Sequence, residues 1–270
     1  VLPLVIAVYA ALPSQDPMLV VHAVFASLAL WPAMRLGEAC GGRLLGVAAP
    51  VSLALFGPFQ GMAIADFRPS VLFCAGVLGV FAAARVRAPI GVLGWALVAL
   101  VAREEAPYLL MASGLALCVL PWGAPEQGGW AARWWAGLRL REGLLLVAIS
   151  LLAFGCWVWL KPSFFFHFDP MAPSLRPTLP PEVLADRLRF TGRLARSGFA
   201  LGVLSPAGLL AGLPMFRELA LDGREWHSLF GPSAHYPAFW LAFIAASGIA
   251  GAGRLGRVGA GLLVCGNLLA

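Results

Sequence analysis

The sequence predicts an all-α fold: a polytopic transmembrane helical bundle with a re-entrant or broken segment near 197–216. Three observations carry this. Sixty per cent of residues are hydrophobic and only 12% are charged, against about 25% charged in soluble domains. The mean hydropathy is +0.85, which is more apolar surface than a soluble core can hide. The apolar runs are about 13–20 residues long and do not alternate strictly, which argues for helices over barrel strands. Backbone groups in lipid must bond within the chain, so helices and closed barrels are the only choices.

The candidate spans are 17–36, 44–60, 69–84, 90–102, 106–121, 143–160, 237–252 and 256–270. Residues 1–13 read as the end of a span or as an interfacial helix. Several runs fall below the roughly 20 residues of a standard span; such spans thin the bilayer locally or pack inside a bundle. The chain starts in one apolar run at Val1 and stops in another at Ala270, so 1–270 reads as a single transmembrane domain and as a fragment.

The net charge is +6. In a soluble chain that would suggest nucleic acid. Here the arginines lie between apolar runs, so membrane topology explains them and no nucleic-acid partner is expected. Short connections carry Arg35 and Arg43, then Arg85 and Arg87, then Arg133, Arg139 and Arg141, then Arg254 and Arg257. If all four face the cytoplasm, the positive-inside rule is obeyed. The loop 61–68 then faces outward, and 90–102 and 106–121 form a hairpin with Arg103-Glu104-Glu105 at its outer tip. Loop 122–142, with Trp122, Trp130, Trp134 and Trp135 among arginines, has the composition of an interfacial segment.

Residues 161–196 are the longest polar stretch and read as an outer-face loop. Its first half is Pro-rich and irregular. Its second half reads as an amphipathic helix from about Pro181, with Leu184, Leu188, Thr191 and Ala195 on one face and Arg187, Arg193 and Arg196 towards the other. Such a helix usually lies on a membrane surface, where its arginines meet headgroups or cradle a phosphate-bearing lipid. In 197–216, Ser205-Pro206 breaks the helix midway. Gly198/Gly202 and Gly208/Gly212 are spaced for close helix contact. Outer-face placement at 196 and inner placement at Arg254 require this piece to turn back.

Three polar sets collect on the inferred outer face. Asp66-Phe67-Arg68-Pro69 offers a carboxylate and a guanidinium for a metal or phosphate; a helix cap with a local ion pair explains it equally. Arg103-Glu104-Glu105 offers adjacent carboxylates that can bind a divalent cation or act as a general base. Neighbouring side chains do not share a helical face, so one Glu can point to a site while the other pairs with Arg103 or caps a helix; a solvated hairpin tip is the plain alternative. His235-Tyr236 precedes a span, with His227 upstream, and can ligate metal, relay protons or hold a phosphate; aromatic-belt usage accounts for the Tyr as well. His167-Phe168-Asp169 is a weaker set. His22 reads as a packed or helix-bonding residue. The five cysteines are scattered without CxxC spacing, so no metal or disulfide role is expected. There is no Walker loop, HExxH or GxSxG, and no GxGxxG is read, which disfavours a nucleotide-binding domain or a familiar membrane protease.

Taken in order, PLVIAVYAALPSQDPMLVVHAVFASLALWPAMRL, ADFRP, REEAPYLL, GFALGVLSPAGLLAGLPMF and HYPAFWLAFIAA resemble a family of bacterial polytopic membrane proteins of unknown function. That family is similar to the GT-C superfamily of membrane glycosyltransferases. The likeness covers nearly the whole chain and rests on the order of short motifs. It implies a GT-C-like reaction, in which a sugar passes from a polyprenyl-phosphate donor to an acceptor at the outer face of the bacterial inner membrane. In that superfamily an acidic residue of the first outer loop is commonly catalytic and a later acidic pair supports the site. The later pair matches Glu104-Glu105; the first outer loop would lie before Val1.

The resemblance thus assigns Glu104 or Glu105 to base or metal support and Asp66 to a secondary catalytic role. Arg68, Arg103, Arg193 and Arg196 would meet the donor's headgroup. His235, with Tyr236, would meet its phosphate. Membrane lipid and a lipid-linked sugar donor are the implied partners, and a divalent cation the implied cofactor. Two other classes share the composition. A transporter would gather charges near the midplane around broken helices, and a non-catalytic scaffold needs only the helices.

Overall fold

Residues 16–64, 70–102, 105–122, 135–164, 181–216 and 237–269 are described by the computed structural model. About 90% of them are helical and none is in a strand, so the all-α class holds. In order they form α1 (Asp16–Ser27), α2 (Leu30–Leu55), α3 (Gly57–Ile64), α4 (Val71–Arg85), α5 (Pro89–Ala102), α6 (Ala106–Val119), α7 (Leu140–Phe164) and α8 (Pro181–Arg196). A 3-10 helix (Gly198–Leu204), α9 (Ala207–Ala211), α10 (Pro237–Arg254) and α11 (Gly256–Leu269) follow.

The centre is set by composition. A helix that is apolar on every side has to be enclosed. α4 reads VLFCAGVLGVFAAAR, and Val71 to Ala84 are all buried. α10 is likewise buried from Trp240 to Ala252. The two meet through Phe73 and Phe243, with ring centroids 6.2 Å apart. α2, α5 and the 3-10 helix pack around this pair, and α11 closes on α2.

Neighbouring helices form antiparallel hairpins, and glycines let them close. At Gly41 (φ −153°, ψ 20°) and Gly42 (φ 71°, ψ −164°) the backbone of α2 leaves the helix and reverses. A Cβ added at Gly37 would meet the Ala49 methyl at 3.0 Å, so the two halves of α2 face each other. In α4–α5, a Cβ at Gly76 would lie 2.7 Å from the Ala99 nitrogen. In α6–α7, one at Gly114 would lie 2.6 Å from the Gly143 carbonyl oxygen. In α10–α11, Gly259 lies against Ala252 in the same way.

Two helical paths are long and apolar enough to cross a membrane, Pro17–Leu55 and Leu140–Trp159; Val71–Arg85, Pro89–Ala102, Ala106–Val119 and Gly256–Leu269 are apolar but shorter. The Gly41–Gly42 reversal divides the first path where the sequence divides it, between 17–36 and 44–60. Its first arm breaks again at Leu28-Ala29 and its second at Phe56. α3 extends helix into the expected loop 61–68 as far as Ile64, because Phe59 and Met62 are buried and the Met62 carbonyl accepts a hydrogen bond from His22 Nε2 (2.8 Å). His22 is thus the packed, helix-bonding residue its setting suggested.

The segment 197–216 is broken as expected. Along α10, Phe199 lies against Gly248 and Leu201 against Gly251; the chain then turns, with Gly202 against Ser247 and Gly212 against Phe243. It therefore runs towards Arg254 and then turns back along α10. Pro206 ends the 3-10 path, and the Ser247 hydroxyl accepts the Leu209 N–H (3.0 Å) beyond the break. An unsatisfied N–H here would cost several kcal/mol in lipid.

One expectation needs correcting. Trp122 does not present its indole to headgroups: it is fully buried, edge-on to Phe81 with ring centroids 4.9 Å apart, and its Nε1–H donates to the Phe81 carbonyl (2.9 Å). In α8, Leu188, Thr191 and Ala195 of the face read as apolar are exposed, and Leu194 packs on the core. The Ser197 N–H (3.1 Å) and hydroxyl (2.8 Å) both donate to the Leu194 carbonyl, which holds that side of the last turn against the body.

The Gly42 conformation is open to glycine alone. Gly42→Ala should cost about 1–3 kcal/mol, read as a lower unfolding temperature of the detergent-solubilised chain. Gly94→Ala, in the middle of α5 with open space around it, should leave that temperature unchanged or raise it slightly.

Candidate functional site

The arginine-bearing connections meet at one end of the bundle. The α2 turn touches the α10–α11 turn: a Cβ on Gly253 would sit 2.6 Å from the Cys40 carbonyl oxygen. Arg85, at the end of α4, and Arg254 both act electrostatically on Cys40. Arg87 Nη2 donates to the Ala136 carbonyl (3.1 Å), and Arg85 donates to the Trp122 carbonyl. All four arginine connections thus lie together; Arg133 falls outside the described residues.

Arg139 joins these turns. It is buried, and its guanidinium donates to the carbonyls of Ala84 (3.0 Å), Arg85 (3.5 Å), Ala136 (3.1 Å), Gly137 (3.3 Å) and Leu138 (3.1 Å). A helix leaves its last carbonyls without intrahelical partners, and a cation at that end also meets the negative pole of the helix dipole. The sequence marks Arg139 only as a topology arginine; its role as a carbonyl clamp emerges from the fold.

Two clefts open at this end. One, of about 370 Å³, lies between α2, α4 and α5 and is walled by Trp31 and Trp95, with Arg35 and Glu38 on its lining. The other, of about 310 Å³, is lined by Arg87, Trp135, Leu138, Leu140, Arg141 and Glu142. Neither was legible in the sequence.

The opposite end carries Glu105. α4 runs towards the arginine end, α5 away from it and α6 back, so Glu105 at the start of α6 lies at the far end. The Glu105 carbonyl accepts the N–H groups of Tyr108 (3.2 Å) and Leu109 (3.5 Å), and Pro107 sits in the first turn. The side chain is half-buried. A carboxylate at a helix N-terminus is favoured by the dipole.

Arg193 and Arg196 lie exposed in the last turn of α8. α8 packs on the 3-10 helix and α11, whereas α6 packs on α7 and α9; the two arginines and Glu105 therefore sit on different parts of the bundle. Asp66, Arg68, Arg103, Glu104, His235 and Tyr236 lie outside the described residues, as do His167, Asp169 and His227. Among the described residues, no three His, Cys, Asp or Glu side chains come together as a metal site.

A buried polar pair also escaped the sequence reading. Asn267 Nδ2 donates to Ser52 Oγ (2.6 Å), and that hydroxyl donates to the Leu263 carbonyl (2.9 Å). A polar residue inside each apolar run was the available signal. The stretch Gly251-Ala252-Gly253-Arg254-Leu255-Gly256 has G-x-G-x-x-G spacing, but it joins two helices; a dinucleotide fingerprint needs a strand before it. No protein-family model, curated protein or solved structure matches the chain.

Burial pushes the Cys40 thiol up to about 11, against a smaller opposing pull from Arg85 and Arg254. Burial, and then Arg85, also hold Arg254 below its usual value. Only the thiolate reacts with maleimide-type reagents. At pH 8 the thiolate is therefore much rarer at Cys40 than at an ordinary thiol of 9.0. In a variant whose sole cysteine is Cys40, alkylation should be slow at pH 8 and accelerate up to about pH 11. A rate that already levels off near pH 9 would contradict this environment.

Proposed function

We propose that this chain is a multi-pass protein of the bacterial inner membrane, with its arginine-rich end in the cytoplasm. At its outer face it works as a GT-C-like glycosyltransferase, moving a sugar from a polyprenyl-phosphate donor to an acceptor. The observation that carries the reading is the separation of the two ends. Four arginine connections gather at one end, and Glu105 stands at the other. Gathering the arginine connections at one end accords with the positive-inside rule, against which the arginines of α8 count. Among the described residues, charged residues outside α8 lie within two turns of a helix end or reversal. This favours chemistry at the interface over a midplane transport site.

In this reading Glu105 or Glu104 accepts the acceptor hydroxyl's proton. The acceptor oxygen bonds to the anomeric carbon as the bond from that carbon to the donor phosphate oxygen breaks. The phosphate leaves with the electron pair, and its charge is met by Arg68 or Arg103; Arg193 and Arg196, on another part of the bundle, are not used at this centre. His235 and Tyr236 contact the donor phosphate, Asp66 supports the base, and a divalent cation would bind at the acidic pair.

Orientation is tested with an impermeant thiol reagent on intact cells, using cysteine-free chain with single cysteines at Ala65, Val86 and Ala234. Ala65 and Ala234 should label from outside and Val86 only after permeabilisation. Labelling of Ala65 and Ala234 from opposite sides would break the composite outer site. Chemistry is tested by transfer of labelled sugar from polyprenyl-phosphate donors in membranes. Glu105→Gln should lower the rate about 100-fold or more; an unchanged rate removes Glu105 as the base.

A further inference from the structure

We infer that the cleft between α2, α4 and α5 holds the headgroup of an amine-bearing zwitterionic phospholipid, an inference that rests on the membrane reading. The cleft has a volume of about 370 Å³. Trp31 and Trp95 wall it, 5.6 Å apart between ring centroids and tilted 40°. Its floor is small: Ala82 and Ala83 line it, and the Trp95 indole lies where a Cβ on Gly79 would be. Indoles favour the boundary between headgroup and acyl chain, and here they sit within the arginine end of the bundle. Trp31 is 54% exposed, so the wall opens sideways, where lipid lies.

The mouth selects the headgroup. Arg35 Nη1 and Glu38 Oε2 form an ion pair of 2.7 Å, with side chains 59% and 36% exposed. Exposed pairs of this kind add little to stability, and this one leaves donors on the guanidinium and an oxygen on the carboxylate unused. A phosphodiester fits the first and a primary ammonium the second. The carboxylate is the distinguishing feature. The other described acid at this end, Glu142, is buried, and the neighbouring turns carry arginine alone. A site for a purely anionic lipid would not place Glu38 beside the phosphate. A choline headgroup has no N–H to donate to it.

The test uses the purified full chain, offered equal amounts of phosphatidylethanolamine, phosphatidylcholine and phosphatidylglycerol with identical acyl chains. Retained lipid is counted by native mass spectrometry. Wild type should retain the ethanolamine lipid about fivefold over either other lipid. Glu38→Gln should bring it down to the choline lipid's level, and Arg35→Gln should lower all three. Equal retention by wild type, or a preference that survives Glu38→Gln, overturns the inference. Carbonate washing of the membranes separates the two readings. A chain released by the wash defeats the membrane reading and this one with it; a chain that stays but does not discriminate defeats this one alone.

Discussion

Backbones that approach closely at glycine and alanine hold this bundle together. Lipid tails are as apolar as leucine, so hydrophobic burial does little to draw helices together in a membrane. What remains is van der Waals contact and hydrogen bonding, and both need proximity. Gly76 on Ala99, Gly114 on Gly143, Gly251 on Leu201 and Gly253 on Cys40 are places where a single methyl would collide with the neighbour's backbone or side chain. The apolar α4 and α10 can be enclosed on all sides because their neighbours come in at these points.

The polar residues that remain inside finish what the helices leave undone. Ser247 accepts an N–H past the Pro206 break. His22 bonds the Met62 carbonyl. Arg139 donates to five carbonyls, two at the end of α4 and three just before α7. Each sits where the backbone ladder is interrupted, so irregular backbone is confined to sites that a side chain can serve. Among the described residues outside α8, charged side chains stay near helix ends and reversals, and the polar groups between them include the hydroxyls of Ser52 and Ser247, the amide of Asn267 and the imidazole of His22.

Much of the architecture was legible in the chain. Arginine, glycine and proline punctuate the apolar runs, so the hairpins α4–α5, α6–α7 and α10–α11 begin and end within a few residues of the expected spans. Ser205-Pro206 announced the break in 197–216. The Leu28-Ala29 break carries no such mark and was missed. Trp122 was read from the company it keeps in sequence, yet its partner Phe81 lies 41 residues away. The Trp31–Trp95 cleft is likewise assembled across three helices, which no local pattern reveals. The candidate site was less legible. Glu105, Arg193 and Arg196 are placed, on separate parts of the bundle, and the other six residues read for it lie outside the described segments.

The Ser52–Asn267 bond joins residues 215 positions apart. A ribosome adding about 5–20 residues per second makes Asn267 about 10–40 seconds after Ser52. For that interval the α2 hairpin has a hydroxyl with no Leu263 carbonyl to bond and no α11 to pack against. Synthesis of this chain therefore leaves one of its central hairpins incomplete until the last residues are made.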